Sequence, residues 1–162
     1  NDAYNGGAGT DTYDLSGTTA NATITAATST SAQTGTDTLN SIDRYVGSQG
    51  NDTISGDAGN EFFRGEGGDD AISLAAGGND VIEFGAGFGN DTITGFDANA
   101  GGGQDLIDIR AFGLTAATFG ANVTITDLGA DTRVTIGGNT ILLLAVNGTE
   151  PNAVTIADFL LA

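Results

Sequence analysis

Five acids stand at near-regular intervals in the middle of the chain: Asp52, Glu61, Asp70, Asp80 and Asp91, spaced 9, 9, 10 and 11 residues apart. Each follows a glycine-rich turn and precedes an apolar residue by two places, the apolar set being Ile54, Phe63, Ile72, Ile82 and Ile93. The segments read GSQGNDTIS, GDAGNEFFR and GEGGDDAIS, then AAGGNDVIE and AGFGNDTIT after short insertions. A carboxylate beside a turn full of backbone carbonyls offers oxygen ligands and nothing softer. Six or more oxygens at about 2.3–2.6 Å suit calcium, whereas magnesium demands a smaller octahedron and keeps its waters. Without an ion, carboxylates repeated coil after coil repel one another. The chemistry these residues can do is to hold several calcium ions.

Nine residues are too few to fold alone, so each unit must stack on its neighbours. The last three places of each unit form a short strand whose central side chain points inward. The six-residue turn before it needs positive φ values, which glycine adopts without steric cost. The pattern is the β-helix nonapeptide G-G-x-G-x-D-x-U-x. Two nonapeptides make one coil, so turns one coil apart, separated by about 4.8 Å, can share an ion. An earlier unit runs from Gly6 to Asp14, with Asp11 nine residues after Asp2 and with Tyr4 and Tyr13 at the inward place.

Composition narrows the function. The chain of 162 residues has 21 acids against four cations, Arg44, Arg64, Arg110 and Arg133, and a formal charge of −17. Phosphate backbones need basic patches, so nucleic acid is excluded as a partner. An anionic membrane surface is disfavoured likewise, and no apolar run reaches the length of a membrane span. The absence of Cys removes disulfides and thiolate metal sites, and the absence of His removes the commonest general base. Paired carboxylates would be the remaining catalytic option, and a periodic row of acids isolates no pair. A non-catalytic module is expected.

The register breaks at Leu15. Residues 16–36 are rich in Thr, Ala and Ser, and the β-favouring run at 22–26 predicts an extra pair of solenoid strands. Gly35-Thr36-Asp37-Thr38-Leu39 is a half-repeat, and Ser41 to Val46 leads into the main array. Beyond Asp91, Asp97, Asn99, Gly102 and Asp108 fall at places one, three, six and twelve of an EF-hand loop. Place five is Gly101 and place twelve is Asp, and neither flank has the pattern of a long amphipathic helix. A further calcium-ligating turn carrying Asp97 and Asp105 is the better reading. From Ala111 the glycine turns cease. Residues 115–119 predict a helical turn, and 122–127, 132–136 and 140–146 predict three strands joined by hairpin-like turns. Such a meander would cap the open end of the solenoid. The predicted fold is all-β, a β-solenoid of nonapeptide repeats with an antiparallel β cap. Residues 1–110 form the calcium-binding part, with a non-repeat insertion at 15–46, and 111–162 form the cap.

The chain resembles the C-terminal portion of RTX exoproteins, such as the serralysin-type peptidases and other enzymes with hemolysin-type calcium-binding repeats. Besides the nonapeptides, GTDTYDLSG at 9–17, IDRYVGSQGNDTISG at 42–56 and ITGFDANAGGGQDLIDIRAFG at 93–113 are similar to that family. So is the end, Ala157-Asp158-Phe159-Leu160-Leu161-Ala162, an acidic-then-apolar terminus of the kind read by type I secretion systems. The resemblance implies a right-handed parallel β-roll that is disordered in the low-calcium cytoplasm and folds outside the cell. It implies that each acid bridges two ions. Carbonyls of turn places one and three would serve one ion: Gly47, Gln49, Gly56, Ala58, Gly65 and Gly67. Those of places two and four would serve the next: Ser48, Gly50, Asp57, Gly59, Glu66 and Gly68. The same carry-over adds Gly6 and Ala8 in the first turn, and Ala76, Gly78, Gly87 and Gly89 in the stretched turns. Glu61 departs from the family's Asp.

The expected function is thus a calcium-binding module that folds on leaving the cell and supports type I secretion of a larger exoprotein. The chain opens in mid-repeat, which predicts an upstream domain in the same polypeptide. The alternative is a calcium-stiffened module of a surface-layer or adhesin protein, for which the pairs Thr23/Thr25 and Thr124/Thr126 are a weak sign. A terminus read by a transporter before folding is expected to add little to the folded state.

Overall fold

A computed structural model describes residues 1–74, 77–99, 101, 103–148 and 153–162 of the chain. In chain order the first strands are β1 (Ala3–Asn5), β2 (Thr12–Asp14), β3 (Ala22–Ile24), β4 (Thr28–Ser31), β5 (Gly35–Asn40) and β6 (Arg44–Val46). The repeat array supplies β7 (Thr53–Ser55), β8 (Phe62–Arg64), β9 (Ala71–Ser73), β10 (Val81–Glu83), β11 (Asn90–Thr94) and β12 (Leu106–Asp108). The rest comprises helix α1 (Ala116–Asn122), β13 (Val123–Asp127), β14 (Thr132–Ile136), β15 (Asn139–Leu144) and β16 (Phe159–Leu160).

Successive repeat strands alternate between two sheets, because each glycine turn sends the chain to the opposite side. One sheet runs β1-β5-β4-β3-β7-β9-β11-β15-β14-β13, and the other runs β16-β12-β10-β8-β6-β2. Within the repeat array every pairing is parallel. The inward residues of one sheet register as Ile24, Ile54, Ile72, Ile93 and Leu143. Those of the other register as Tyr13, Tyr45, Phe63, Ile82, Ile107 and Phe159. All are buried. At about 1.5–3 kcal/mol for each large apolar side chain fully removed from water, these two facing rows are the main force stacking the coils.

The insertion at 15–46 departs from the expected pair of solenoid strands. β3 joins the array parallel to β7, and β5 lies parallel to β1, but β4 runs antiparallel between β3 and β5. The turns on either side of β4 are short, so the chain doubles back instead of crossing to the other sheet. Thr25 closes the first of them, its N–H donating to the Thr28 carbonyl at 2.7 Å. Tyr13 is buried at its inward place, but Tyr4 is 44% exposed. Tyr4 lies on β1, the edge strand of its sheet, and packs edge-on against Tyr13 at 5.2 Å.

The segment with EF-hand spacing lies between strands β11 and β12, so the helix–loop–helix frame does not form. Gly102 lies outside the described residues. The meander β13-β14-β15 is antiparallel, and β15 docks parallel on β11. The terminus corrects the sequence reading most. Phe159 and Leu160 form β16, parallel to β12, and extend the smaller sheet. Asp158 is 1% exposed, and Phe159 packs against Phe119 of α1 with ring centroids 4.9 Å apart. Among the described residues no helix is long and apolar enough to cross a membrane.

Candidate metal centre

The repeat acids form two buried ladders, one along each sheet. The Asp52 N–H donates to Asp70 at 2.8 Å, and the Asp70 N–H to Asp91 at 2.9 Å. On the other side the Glu61 N–H donates to Asp80 at 2.9 Å, and the Asp80 N–H to Asp105 at 2.9 Å. Asp105 also accepts from the Asp97 N–H at 2.9 Å, while the Asp97 carboxylate turns to its own loop and accepts from Asn99. The five array acids and Asp105 are buried; Asp97 is exposed. Consecutive turns therefore alternate sides, with Asp52, Asp70 and Asp91 along one edge and Glu61, Asp80 and Asp105 along the other.

Two acids named in the sequence but not singled out as ligands belong to the same ladders. Asp37 accepts from the Asp2 N–H at 2.9 Å, and Asp43 from the Asp11 N–H at 2.8 Å. The signal was there, since each stands two places before an inward residue, Leu39 and Tyr45. A second ladder went unread. The residue before the acid accepts, through its side-chain oxygen, from the N–H of its counterpart one coil on: Asn51 from Asp69, and Asp69 from Asn90, with Asn21, before Ala22, accepting from Asn51 in the same way. Asn60 accepts likewise from Asn79, and Asn79 from Gln104. The recurrent Asn-Asp dipeptide is its sequence mark.

The turns are of two kinds. In 65–70 and 86–91 the backbone takes positive φ, at Glu66 (75°), Gly68 (106°), Gly87 (78°) and Gly89 (94°). Gly6 to Asp11 is similar, at Gly7 and Gly9, and Gly78 continues the set at 126°. In 47–52 and 56–61 no positive φ occurs, contrary to the expectation for every turn. There Ser48 Oγ accepts from the Gly50 N–H at 3.0 Å, and Asp57 from the Gly59 N–H at 2.8 Å. A side chain at place two thus closes the turn that glycine closes elsewhere. At place one of the turns that begin with glycine a side chain is excluded for another reason. A Cβ on Gly47 would stand 2.5 Å from Asp52 Oδ2, and one on Gly65 would strike Asp70 Oδ2. Gly56 is closed in the same way by Glu61 Oε2 at 2.6 Å, and Gly6 by Asp11. Ala8, Gln49, Ala58 and Gly67 lie in the same turns; Ala76 lies outside the described residues.

Three carboxylate oxygens, Asp11 Oδ2, Glu61 Oε2 and Asp70 Oδ2, are buried without a hydrogen-bond partner. A buried anionic oxygen with no donor is costly, and a cation is what it fits. Asp52 differs, accepting from Ser48 N, Ser48 Oγ and Ala22 N. Burial pushes Asp70 up to about 7 and Asp91 to about 8. It pushes Glu61 to about 8, helped by a hydrogen bond to Asp57, and Asp80 to about 6. Among the described residues no group of three or more acidic side chains converges. An ion here can be held only with backbone carbonyls completing its shell.

Parallel coils, glycine turns and a ladder of buried carboxylates define a calcium-binding β-roll. Residues 32–72 match the family of the RTX calcium-binding nonapeptide repeat, in four copies, so this part of the chain carries calcium-binding repeats. The extracellular lipase LipA from Serratia marcescens matches with a TM-score of 0.55 and 17% identity. The match covers 99% of this chain and 34% of the lipase, so the chain spans about a third of that protein's length. The AlgE6R2 subunit of the Azotobacter vinelandii mannuronan C5-epimerase matches with a TM-score of 0.58 and 16% identity over 95% of this chain and 93% of that one. At such identities the likeness shows the fold. No curated protein matches the sequence.

Proposed function

We propose that the chain is the calcium-dependent folding and export module of a larger secreted protein that carries an upstream domain in the same polypeptide. Residues 1–110 are its roll and 111–162 its cap. Ions sit between turns one coil apart, each held by ladder carboxylates and by the turn carbonyls at places one to four. The observation that carries this reading is the set of buried, unpartnered carboxylate oxygens at Asp11, Glu61 and Asp70. A chain of charge −17 that buries such groups gains little by folding without an ion. Ion binding then supplies the folding free energy. Where calcium is scarce the chain stays open and can be threaded by a type I transporter; where it is plentiful the coils close. Far-ultraviolet circular dichroism tests this directly. Coil is expected in chelator and β-structure in millimolar calcium, with magnesium a poor substitute. A full β spectrum in chelator would sink the idea.

A further inference from the structure

In the turn that opens on Asp70, a cation already stands at the mouth of the site. Arg64, the last residue of β8, pairs with Glu66 through Nε at 2.9 Å and Nη2 at 3.1 Å. Its Nη1 reaches Glu83, the last residue of β10, at 3.4 Å. These side chains line a cavity of about 80 Å³ together with Gly65 and the buried Asp91. That is ample room for an ion. Asp70 Oδ2, buried and unpartnered, lies against Gly65. The chain has only four cations, and the counterpart of Arg64 in β6 is the apolar Val46. Arg110, just beyond the end of β12, pairs instead with Asp108 at 2.6 Å.

We infer that Arg64 is an internal counter-cation that weakens calcium binding between the turns 65–70 and 86–91 and so speeds release from that site. This rests on the proposal that calcium occupies that cavity. Two effects act in the same direction. The guanidinium repels a divalent ion entering beside it. It also engages the carboxylates of Glu66 and Glu83, which would otherwise add negative charge at the rim. Glu66 itself sits at φ 75°, a conformation a non-glycine residue adopts at some cost. Its pairing with Arg64 holds it there.

The test is calcium release from the folded chain, followed by rapid mixing with a fluorescent chelator. The calcium-loaded protein is the starting state for every variant, so stability of the ion-free fold does not enter. Arg64→Gln should slow a fast release phase, that of the ion beside Arg64, roughly threefold to tenfold at low salt, and the difference should shrink as salt screens it. Arg64→Lys keeps the charge and should release at close to the native rate, although it loses the two-pronged grip on Glu66. Faster release by both variants would mean that Arg64 is a structural strut and would overturn the inference. An unchanged rate in Arg64→Gln would overturn it too. If the native chain binds no calcium, the proposed function fails first, and the two failures are thereby told apart.

Discussion

Asp52 and Asp70, one coil apart, are joined by a hydrogen bond from the Asp52 N–H to the Asp70 carboxylate at 2.8 Å. Beside it, the Asp69 N–H donates back to the Asn51 side chain at 3.0 Å. The two ladders therefore run in opposite directions along the roll, one through the buried repeat acids and one through the more exposed side chains of the residues before them. Each coil is held to its neighbour from both sides.

Glu61 interrupts its ladder. The Asp43 N–H, which the regular pattern would give to the Glu61 carboxylate, donates instead to the Asp11 carbonyl at 3.0 Å. The longer side chain folds back toward Asp57 and Gly59. Asp70 keeps both links, accepting from Asp52 and donating to Asp91. Asp70→Ala should therefore harm calcium-dependent folding more than Glu61→Ala. The lost bond to a charged group alone is worth about 1.5–3 kcal/mol. Calcium titrations with calorimetry on both variants check this, and an equal or larger loss for Glu61→Ala would refute the bridging arrangement.

The raised carboxyls predict an inverted pH dependence without calcium. Burial lifts Asp80 to about 6, Asp70 to about 7, and Asp91 and Glu61 to about 8. A carboxyl that titrates higher in the folded chain than in the unfolded one favours folding while both hold the proton. That advantage is full below the ordinary values of 3.8 for Asp and 4.5 for Glu. It is lost as pH rises through about 6 to 8, where the folded carboxyls must ionise against burial. In chelator any residual β-structure should fall from pH 5 to pH 8.5. In saturating calcium the fall should vanish, and calcium addition at pH 7 should release protons into a weak buffer. A β-signal in chelator that climbs with pH would count against the site.

Much of this was legible because the repeat fixes two things at once. The place of Ile54, Phe63, Ile72, Ile82 and Ile93 gives the core, and the place of the acids gives the ladder. What was not legible depends on neighbours that a period does not encode. The β-favouring run at 22–26 predicts extra strands, but such residues do not say which way a strand runs, and Thr28–Ser31 runs antiparallel. Tyr4 has an inward place, but its exposure depends on what covers β1. Ser48 and Asp57 occupy glycine-like places and close their turns by a different bond. Asn51 was visible throughout; its role appears only when a coil is laid on it.

The amide ladder yields a prediction free of calcium chemistry. Asn51 accepts from the Asp69 N–H through its side-chain oxygen, at an exposed position. Asn51→Ala should cost about 1 kcal/mol, the net worth of one such bond, and the cost should be the same at all saturating calcium concentrations. Asn51→Asp keeps the acceptor and should recover most of it. Thermal melts at two calcium levels measure both, and a cost that grows as calcium is lowered would place Asn51 in the ion sites instead.

The terminus gives the last test, because two roles compete for the same six residues. Phe159 is buried against Phe119, Leu160 receives the Ile109 N–H at 3.2 Å, and Asp158 accepts from Gln104 Nε2 at 2.8 Å. Gln104 in turn donates to Asn79, so the terminus closes one of the amide ladders. A segment so placed cannot be read by a transporter after folding. Under the proposed function, export would precede folding. Phe159→Ala should lower the stability of the calcium-loaded chain by about 3–5 kcal/mol, the usual loss for a buried Phe. Ile156→Ala, at a position 43% exposed, should leave stability within about 0.5 kcal/mol of the native value. Calorimetry in saturating calcium compares the two. Equal melting temperatures would mean that β16 only rests on β12; a large drop for Phe159→Ala alone means that the last residues of the chain lock the roll.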